Sequence, residues 1–240
     1  MRCIVNIERK VAVVTGASRG LGEGIANAFR DQGYCVVGTS RSIEPSDDPD
    51  YLTFAGDIGD PATGKKVIEA ALSRFGRVDT LINNAGIFIP NEFTKYTDQQ
   101  YKDLLSTNLN GFFYITQQAV DAMVKQESGH VVQVTTTLVE HANSAVPSVL
   151  ASLTKGGLTA ATRSLAIEYA SRNIRVNAVA PGMIKTPMHA PASLMALAGL
   201  HPLNRMGEIA DIVQAILYLE NANFVTGEIL HVDGGQIAGH

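Results

Sequence analysis

Thr15-Gly16-Ala17-Ser18-Arg19-Gly20-Leu21-Gly22 follows an apolar run, Val11 to Thr15, and opens an amphipathic stretch, Gly20 to Asp31. That placement decides the fold. A glycine-rich turn between a strand and a helix lets the backbone bend tightly and approach a pyrophosphate, while free amides and the helix dipole favour its negative charge. Working outward, apolar runs of strand length alternate with longer amphipathic stretches. The pattern predicts strands over Val11 to Thr15, Cys35 to Thr39, Leu52 to Ala55, Thr80 to Ile82, Val131 to Val134, Ile174 to Val179 and Ile229 to Val232. It predicts helices over Gly20 to Asp31, Pro61 to Phe75, Asp98 to Lys125, Ser148 to Ala170 and Glu208 to Leu219. Such alternation is that of repeated βαβ units and a parallel sheet, an α/β architecture.

Composition narrows the function classes. A chain of 240 residues fits one domain spanning residues 1–240, and 45% hydrophobic residues suffice to cover both faces of a sheet. A net charge of −4 provides no basic footprint, so no nucleic acid and no membrane surface is expected as partner; a small-molecule substrate is. Cys3 and Cys35 are too few for a disulfide framework or a metal quartet, and no metal is expected. Met1 to Lys10 contains no uninterrupted apolar core of the kind an export signal needs, and no run approaches the ~18 apolar residues of a membrane span. A cytoplasmic protein is the resulting expectation.

Further blocks occur in order. Asn83-Asn84-Ala85-Gly86 follows the fourth strand, Asn108 lies in the long central helix, Asn177 to Gly182 reads Asn-Ala-Val-Ala-Pro-Gly, and Val232-Asp233-Gly234-Gly235 closes the last strand. Together with the Thr-Gly-x-x-x-Gly-x-Gly spacing of the first turn, this ordered set resembles the short-chain dehydrogenase/reductase family over nearly the whole chain. The resemblance implies a single doubly wound Rossmann domain with a seven-stranded parallel sheet and a dinucleotide across the carboxyl ends of its strands. It carries Gly16, Ser18, Arg19, Gly20, Leu21 and Gly22 to the pyrophosphate turn, and Asp57 and Ile58 to the adenine. Asn84, Ala85 and Gly86 fall on the adenosine side, and Pro181, Gly182, Ile184 and Thr186 are further cofactor contacts after the sixth strand. A carboxylate such as Asp57 accepts from an adenine amino group, which an apolar residue cannot do.

Charge at the end of the second strand separates the two nicotinamide dinucleotides, because an acidic residue there binds ribose hydroxyls and repels a 2′-phosphate. The chain has none. It reads Gly38-Thr39-Ser40-Arg41, and Arg19 lies in the glycine turn. Two guanidinium forks facing no carboxylate favour NADP(H) over NAD(H).

The chemical half departs from the family. There, a tyrosine and a lysine one helical turn apart face the nicotinamide; the phenol exchanges a proton with substrate while the lysine binds the ribose and lowers the phenol's pKa. Here Lys155 is present and the tyrosine position holds Ala151. Thr136 matches the family's serine, with Thr137 as the alternative because the stretch to Ala151 runs slightly long. Asn108, which in the family organises a water linking the lysine to solvent, is intact. His141, beside Glu140 in the loop after the fifth strand, is the candidate substitute acid, ahead of His189 and His201. Lys185 to Asn204, with three prolines and two histidines, reads as an insertion over the site, either a substrate lid or a plain surface excursion.

Two readings therefore stand. One is an oxidoreductase transferring hydride between NADP(H) and a carbonyl or alcohol, with an atypical proton donor. The other is a catalytically impaired nucleotide-binding sensor or scaffold partner. The resemblance also implies a homodimer or homotetramer formed through the two long helices.

Overall fold

A computed structural model of the chain describes residues 9–187 and 197–239. Seven strands, β1 (Val11–Thr15), β2 (Cys35–Ser40), β3 (Tyr51–Ala55), β4 (Thr80–Asn83), β5 (Gly129–Val134), β6 (Ile174–Pro181) and β7 (Ile229–Val232), form one parallel sheet in the order 3-2-1-4-5-6-7. The chain winds outward from β1 to β3, crosses back to β4 beside β1, and winds the other way. The switch between β1 and β4 opens a crevice at the carboxyl ends of the strands, where such sheets bind ligands.

Alternation within each strand feeds two apolar layers. Val11 and Val13 of β1 join Leu81, Val131 and Val176 against α2 (Pro61–Phe75) and α4 (Gly111–Gln126), through Val67, Ile68, Ile115, Ala119 and Met123. Ala12 and Val14 face the other way, with Ile82, Val132 and Val179, onto α1 (Gly20–Asp31) and α6 (Ile209–Asn221), through Ile25, Phe29, Ile212 and Ile216. All of β1 is buried, as a strand covered on both faces must be. Local signals set the helix ends. Asp60 caps α2 by accepting from the Ala62 amide at 2.9 Å with Pro61 in the first turn, and Thr97 with Gln100 forms a capping box on α3 (Asp98–Leu104).

The helix predicted from Asp98 to Lys125 is interrupted. Between α3 and α4, Leu105–Asn110 forms a π-helical turn, which absorbs an extra residue without ending the helix. Apolar periodicity runs on through such a turn, so the sequence reads as one helix. The last long helix, α5, covers Val149–Tyr169.

At the amino ends of the strands lies a buried polar clasp. Glu220, at the end of α6, accepts from His130 Nδ1 at 2.7 Å, Thr80 Oγ1 at 3.0 Å and Tyr34 Oη at 2.9 Å. The Asn177 amide donates to His130 Nε2 at 3.1 Å, so the imidazole is neutral and its proton points at Glu220. Burial pushes His130 down. Burial pushes Glu220 up, but the three donors outweigh it and hold the carboxyl at about 2. Arg175 closes the same corner, donating to the Leu219 and Glu220 carbonyls at 2.7 and 2.9 Å. Among the described residues no helix is long and apolar enough to cross a membrane, and no cluster of His, Cys, Asp or Glu is disposed to hold a metal ion. Cys3 and His189 lie outside the described residues, as do residues 188–196 of the predicted insertion.

Candidate active site

The floor of the crevice is a knot between β1 and β4. Thr15 Oγ1 accepts from the amides of Asn84 and Ala85 at 3.0 and 2.9 Å, and the Asn84 side-chain amide donates to the Thr15 carbonyl at 2.9 Å. Two glycines make the turn possible. Gly16 has φ +69°, the left-handed region, and a Cβ on Gly22 would stand 2.1 Å from the Gly16 carbonyl oxygen. No side chain caps the start of α1, which leaves its first amides facing the cleft.

The cleft encloses about 450 Å³ and runs from the ends of β2 and β3 across to α5. It is lined by Gly16, Ser18, Arg19, Gly20, Leu21 and Gly22 after β1, Thr39, Ser40 and Arg41 at the end of β2, and Asp57 and Ile58 after β3. Arg19 and Arg41 are both exposed. Asn84, Ala85 and Gly86 line the middle. At the far end stand Thr136, Ala151 and Lys155, with Pro181, Gly182, Ile184 and Thr186 beyond β6. Lining residues without a sequence signal include Phe88, Leu138 and Met183, whose apolar side chains belong to no periodic pattern.

The threonine pair separates by direction. Thr136 lines the cleft, and its oxygen accepts from the Leu138 amide at 3.3 Å, leaving its hydroxyl proton available to a ligand. Thr137 turns inward and donates to Gln236 and Pro181 oxygens at 3.0 and 3.3 Å. Asn108 lies behind the cleft wall in the π-helical turn. Its Oδ1 accepts from the Ile87 amide at 2.9 Å, and its Nδ2 donates to the Ile87 carbonyl and Thr154 Oγ1, each at 3.1 Å. His141 is outside the residues that line the cleft; its amide donates to Thr137 at 2.8 Å, while the neighbouring Glu140 carboxylate is 3.3 Å from His231 Nε2. His201 is buried beneath the loop after β6, where its Nε2 accepts from the Met183 amide at 2.9 Å.

Lys155 is held by the Val134 carbonyl, to which Nζ donates at 2.7 Å. A Cβ built on Gly86 would lie 3.0 Å from Nζ and 3.3 Å from Asn108 Oδ1, so glycine leaves room for the amine at the cleft wall. Burial lowers the ammonium's pKa from 10.5 to about 8. The flanks of the predicted insertion are tied down: Lys185 donates to the Gly207 carbonyl at 2.8 Å, Gly207 to that of Met183 at 3.0 Å, and Thr186 and Pro187 line the cleft.

The glycine turn, the bare helix start and the paired arginines fit a dinucleotide 2′-phosphate and pyrophosphate. Comparison with known proteins agrees in kind. Residues 16–236 match the family described as enoyl-(acyl carrier protein) reductase. The chain is 37% identical over 243 residues to the 3-oxoacyl-[acyl-carrier-protein] reductase FabG of Escherichia coli, covering 97% of this chain and 99% of that one. It is 33% identical over 252 residues to the Thermotoga maritima FabG, covering 97% and 100%. Among solved structures it is similar to ElxO with NADP bound, at 28% identity and a TM-score of 0.90 over 96% of this chain and 100% of that one. It is also similar to the ligand-free aldohexose dehydrogenase of Thermoplasma acidophilum, at 26% identity and a TM-score of 0.89 over 97% and 96%.

Proposed function

Because the chain belongs to the short-chain dehydrogenase/reductase family, we propose that it is an oxidoreductase exchanging hydride between NADP(H) and a carbonyl or alcohol. One observation carries the reading: a single cleft joins the glycine turn and two arginines to Lys155 and Thr136. In this reading Arg19 and Arg41 hold the 2′-phosphate, the turn from Gly16 to Gly22 holds the pyrophosphate, and Asp57 and Ile58 bracket the adenine. Asn84, Ala85 and Gly86 form the floor, and Lys155, Pro181, Gly182, Ile184 and Thr186 hold the nicotinamide end. The bound cofactor supplies the hydride.

The protein's part is to place the carbonyl and manage its oxygen. Thr136 donates a hydrogen bond from its hydroxyl to that oxygen, and Phe88, Leu138 and Met183 give the substrate an apolar wall, which suits a chain or ring beside the reacting carbon. ElxO binds NADP in its structure and the FabG relatives reduce 3-oxoacyl groups on acyl carrier protein, so a 3-oxoacyl thioester is the first substrate to try. Exposed Phe113 of α4 and Leu153 and Ile167 of α5 support assembly through the two long helices, which sedimentation would test. The anchored flanks at Lys185 and Gly207 support a cover over the substrate formed by residues 185–204.

A second reading, a nucleotide sensor or scaffold without turnover, is favoured by one observation. Ala151, which carries no proton to give, lines the cleft one helical turn before Lys155, and His141 is not among the lining residues. The deciding experiment measures NADPH and NADH binding by calorimetry and turnover on a panel of carbonyls, 3-oxoacyl thioesters and alcohols. NADPH binding with turnover supports the oxidoreductase; NADPH binding without any turnover supports the sensor.

A further inference from the structure

We propose that Lys155 is itself the proton donor, delivering a proton from Nζ straight to the substrate oxygen past Ala151. The inference rests on the oxidoreductase reading above.

The titratable groups lining the cleft are few. Arg41 and Asp57 follow β2 and β3, and Arg19 stands in the turn after β1 at the start of α1. Three strand spacings separate β2 from β5, about 14 Å at the usual distance between neighbours, so Arg41 and Asp57 do not serve the far end, and a guanidinium does not give up its proton near neutral pH. At the far end the described lining offers hydroxyls, methyl groups and one amine. A hydroxyl orients a carbonyl but gives up its proton far too reluctantly to act as the acid near neutral pH. Among the described residues the remaining candidate is the amine.

Its setting is that of a group prepared to release a proton. Nζ makes a hydrogen bond to the Val134 carbonyl of β5, and Gly86 and Asn108 face it from the segment after β4 and from the π-helical turn. On its own helix the neighbours are Ala151, Ser152 and Thr159. None of these is charged, and among the described residues Lys155 is in no ion pair that would hold its proton. Burial alone therefore sets its acidity, and brings the ammonium near the range in which a general acid works best. Ala151 stands one turn before Lys155 and lines the same cleft, and a methyl group there leaves the line between amine and substrate open.

The step balances. As hydride reaches the carbonyl carbon, the C–O π pair takes the proton from Nζ: an N–H bond breaks, an O–H bond forms, and a neutral amine remains beside the product alcohol. Water entering the cleft returns the proton. Alcohol oxidation runs the same steps backwards, with the neutral amine as base.

Trace labelling with acetic anhydride across a pH series, read by mass spectrometry on the peptide bearing Lys155, measures the acidity without any turnover. The expected midpoint is about 8, against about 10.4 for an ordinary exposed lysine. A midpoint at the exposed value overturns the proposal. With a substrate found, Lys155→Arg keeps the positive charge but holds its proton, and is expected to lower kcat, read at saturating NADPH, by about 10²-fold or more. Turnover that survives Lys155→Arg, or that falls as far in His141→Ala, overturns it while leaving the oxidoreductase reading intact. Absence of NADPH-dependent turnover in the wild type is the separate outcome that removes that reading and this inference with it.

Discussion

Lys155→Met removes a buried charge without emptying the space its stem fills. A pKa lowered from 10.5 to about 8 means that the fold holds the ammonium against its preference for water. At about 1.4 kcal/mol for each tenfold change in acidity, the cost at pH 7 is up to about 3 kcal/mol. Two corrections reduce it. Lys155 keeps some exposure to the cleft, which screens the charge, and methionine forfeits the hydrogen bond to Val134, worth about 1 kcal/mol. The variant should therefore be more stable by about 1–2 kcal/mol at pH 7. The sign with pH is fixed. As pH rises through about 8 the folded protein sheds the proton while the unfolded chain keeps it until about 10.5, so wild-type stability climbs and its deficit against Lys155→Met closes. Urea unfolding of both proteins at neutral pH and again near pH 9.5, close to the upper end of that window, measures the gap. A methionine variant no more stable than wild type at pH 7, or a gap that ignores pH, would refute the reasoning.

Arg41→Ala should weaken NADPH binding by about tenfold or more and leave NADH nearly unchanged, since only the phosphate loses a charge-assisted contact; calorimetry with both dinucleotides checks it. Gly22→Ala drives a methyl into the Gly16 carbonyl and should cost about 1–3 kcal/mol and most of the NADPH affinity, read by thermal unfolding and titration on one sample. The Glu220 clasp should make the protein acid-sensitive. Both folded values lie below the unfolded ones, so stability falls as pH drops below about 6.5, where an unfolded His130 gains a proton, and falls again through the carboxylate range as Glu220 nears about 2. Glu220→Gln, which leaves His130, Tyr34 and Thr80 with a weaker acceptor, should lose about 2 kcal/mol at pH 7 and flatten the lower part of that slope.

The centre of the sheet was legible because burial on both faces writes β1 as an unbroken apolar run, and β1 and the glycine turn are local in sequence. Strand ends shifted by a residue or two where polar side chains continue the pairing, as Ser40 and Asn83 do. What stayed hidden depends on direction or on distance along the chain. Thr136 and Thr137 share a composition and differ only in which way the backbone turns after β5, so no pattern separates them. The loop after β5 carries His141 away from the cleft lining by a local turn onto Thr137, and a loop has no periodicity to announce that. Glu220 meets His130 across 90 positions, and neither residue looks unusual in its own segment. The far cleft wall of Phe88, Leu138 and Met183 comes from three separate loops and was illegible for the same reason.

The π-helical turn at Leu105–Asn110 fixes the rotational phase of everything after it. A helix advances about 100° per residue, and the residue absorbed there lets Leu104 face inward before the turn while Ile115, Ala119 and Met123 face the sheet after it. Take one residue out, and α4 must either swing by that angle, setting Val124 where Met123 packs, or drag Asn108 from the Ile87 backbone and so from the wall beside Lys155. The turn behaves as a shared gear between the hydrophobic layer and the cleft: neither can be re-timed by a single-residue deletion without moving the other.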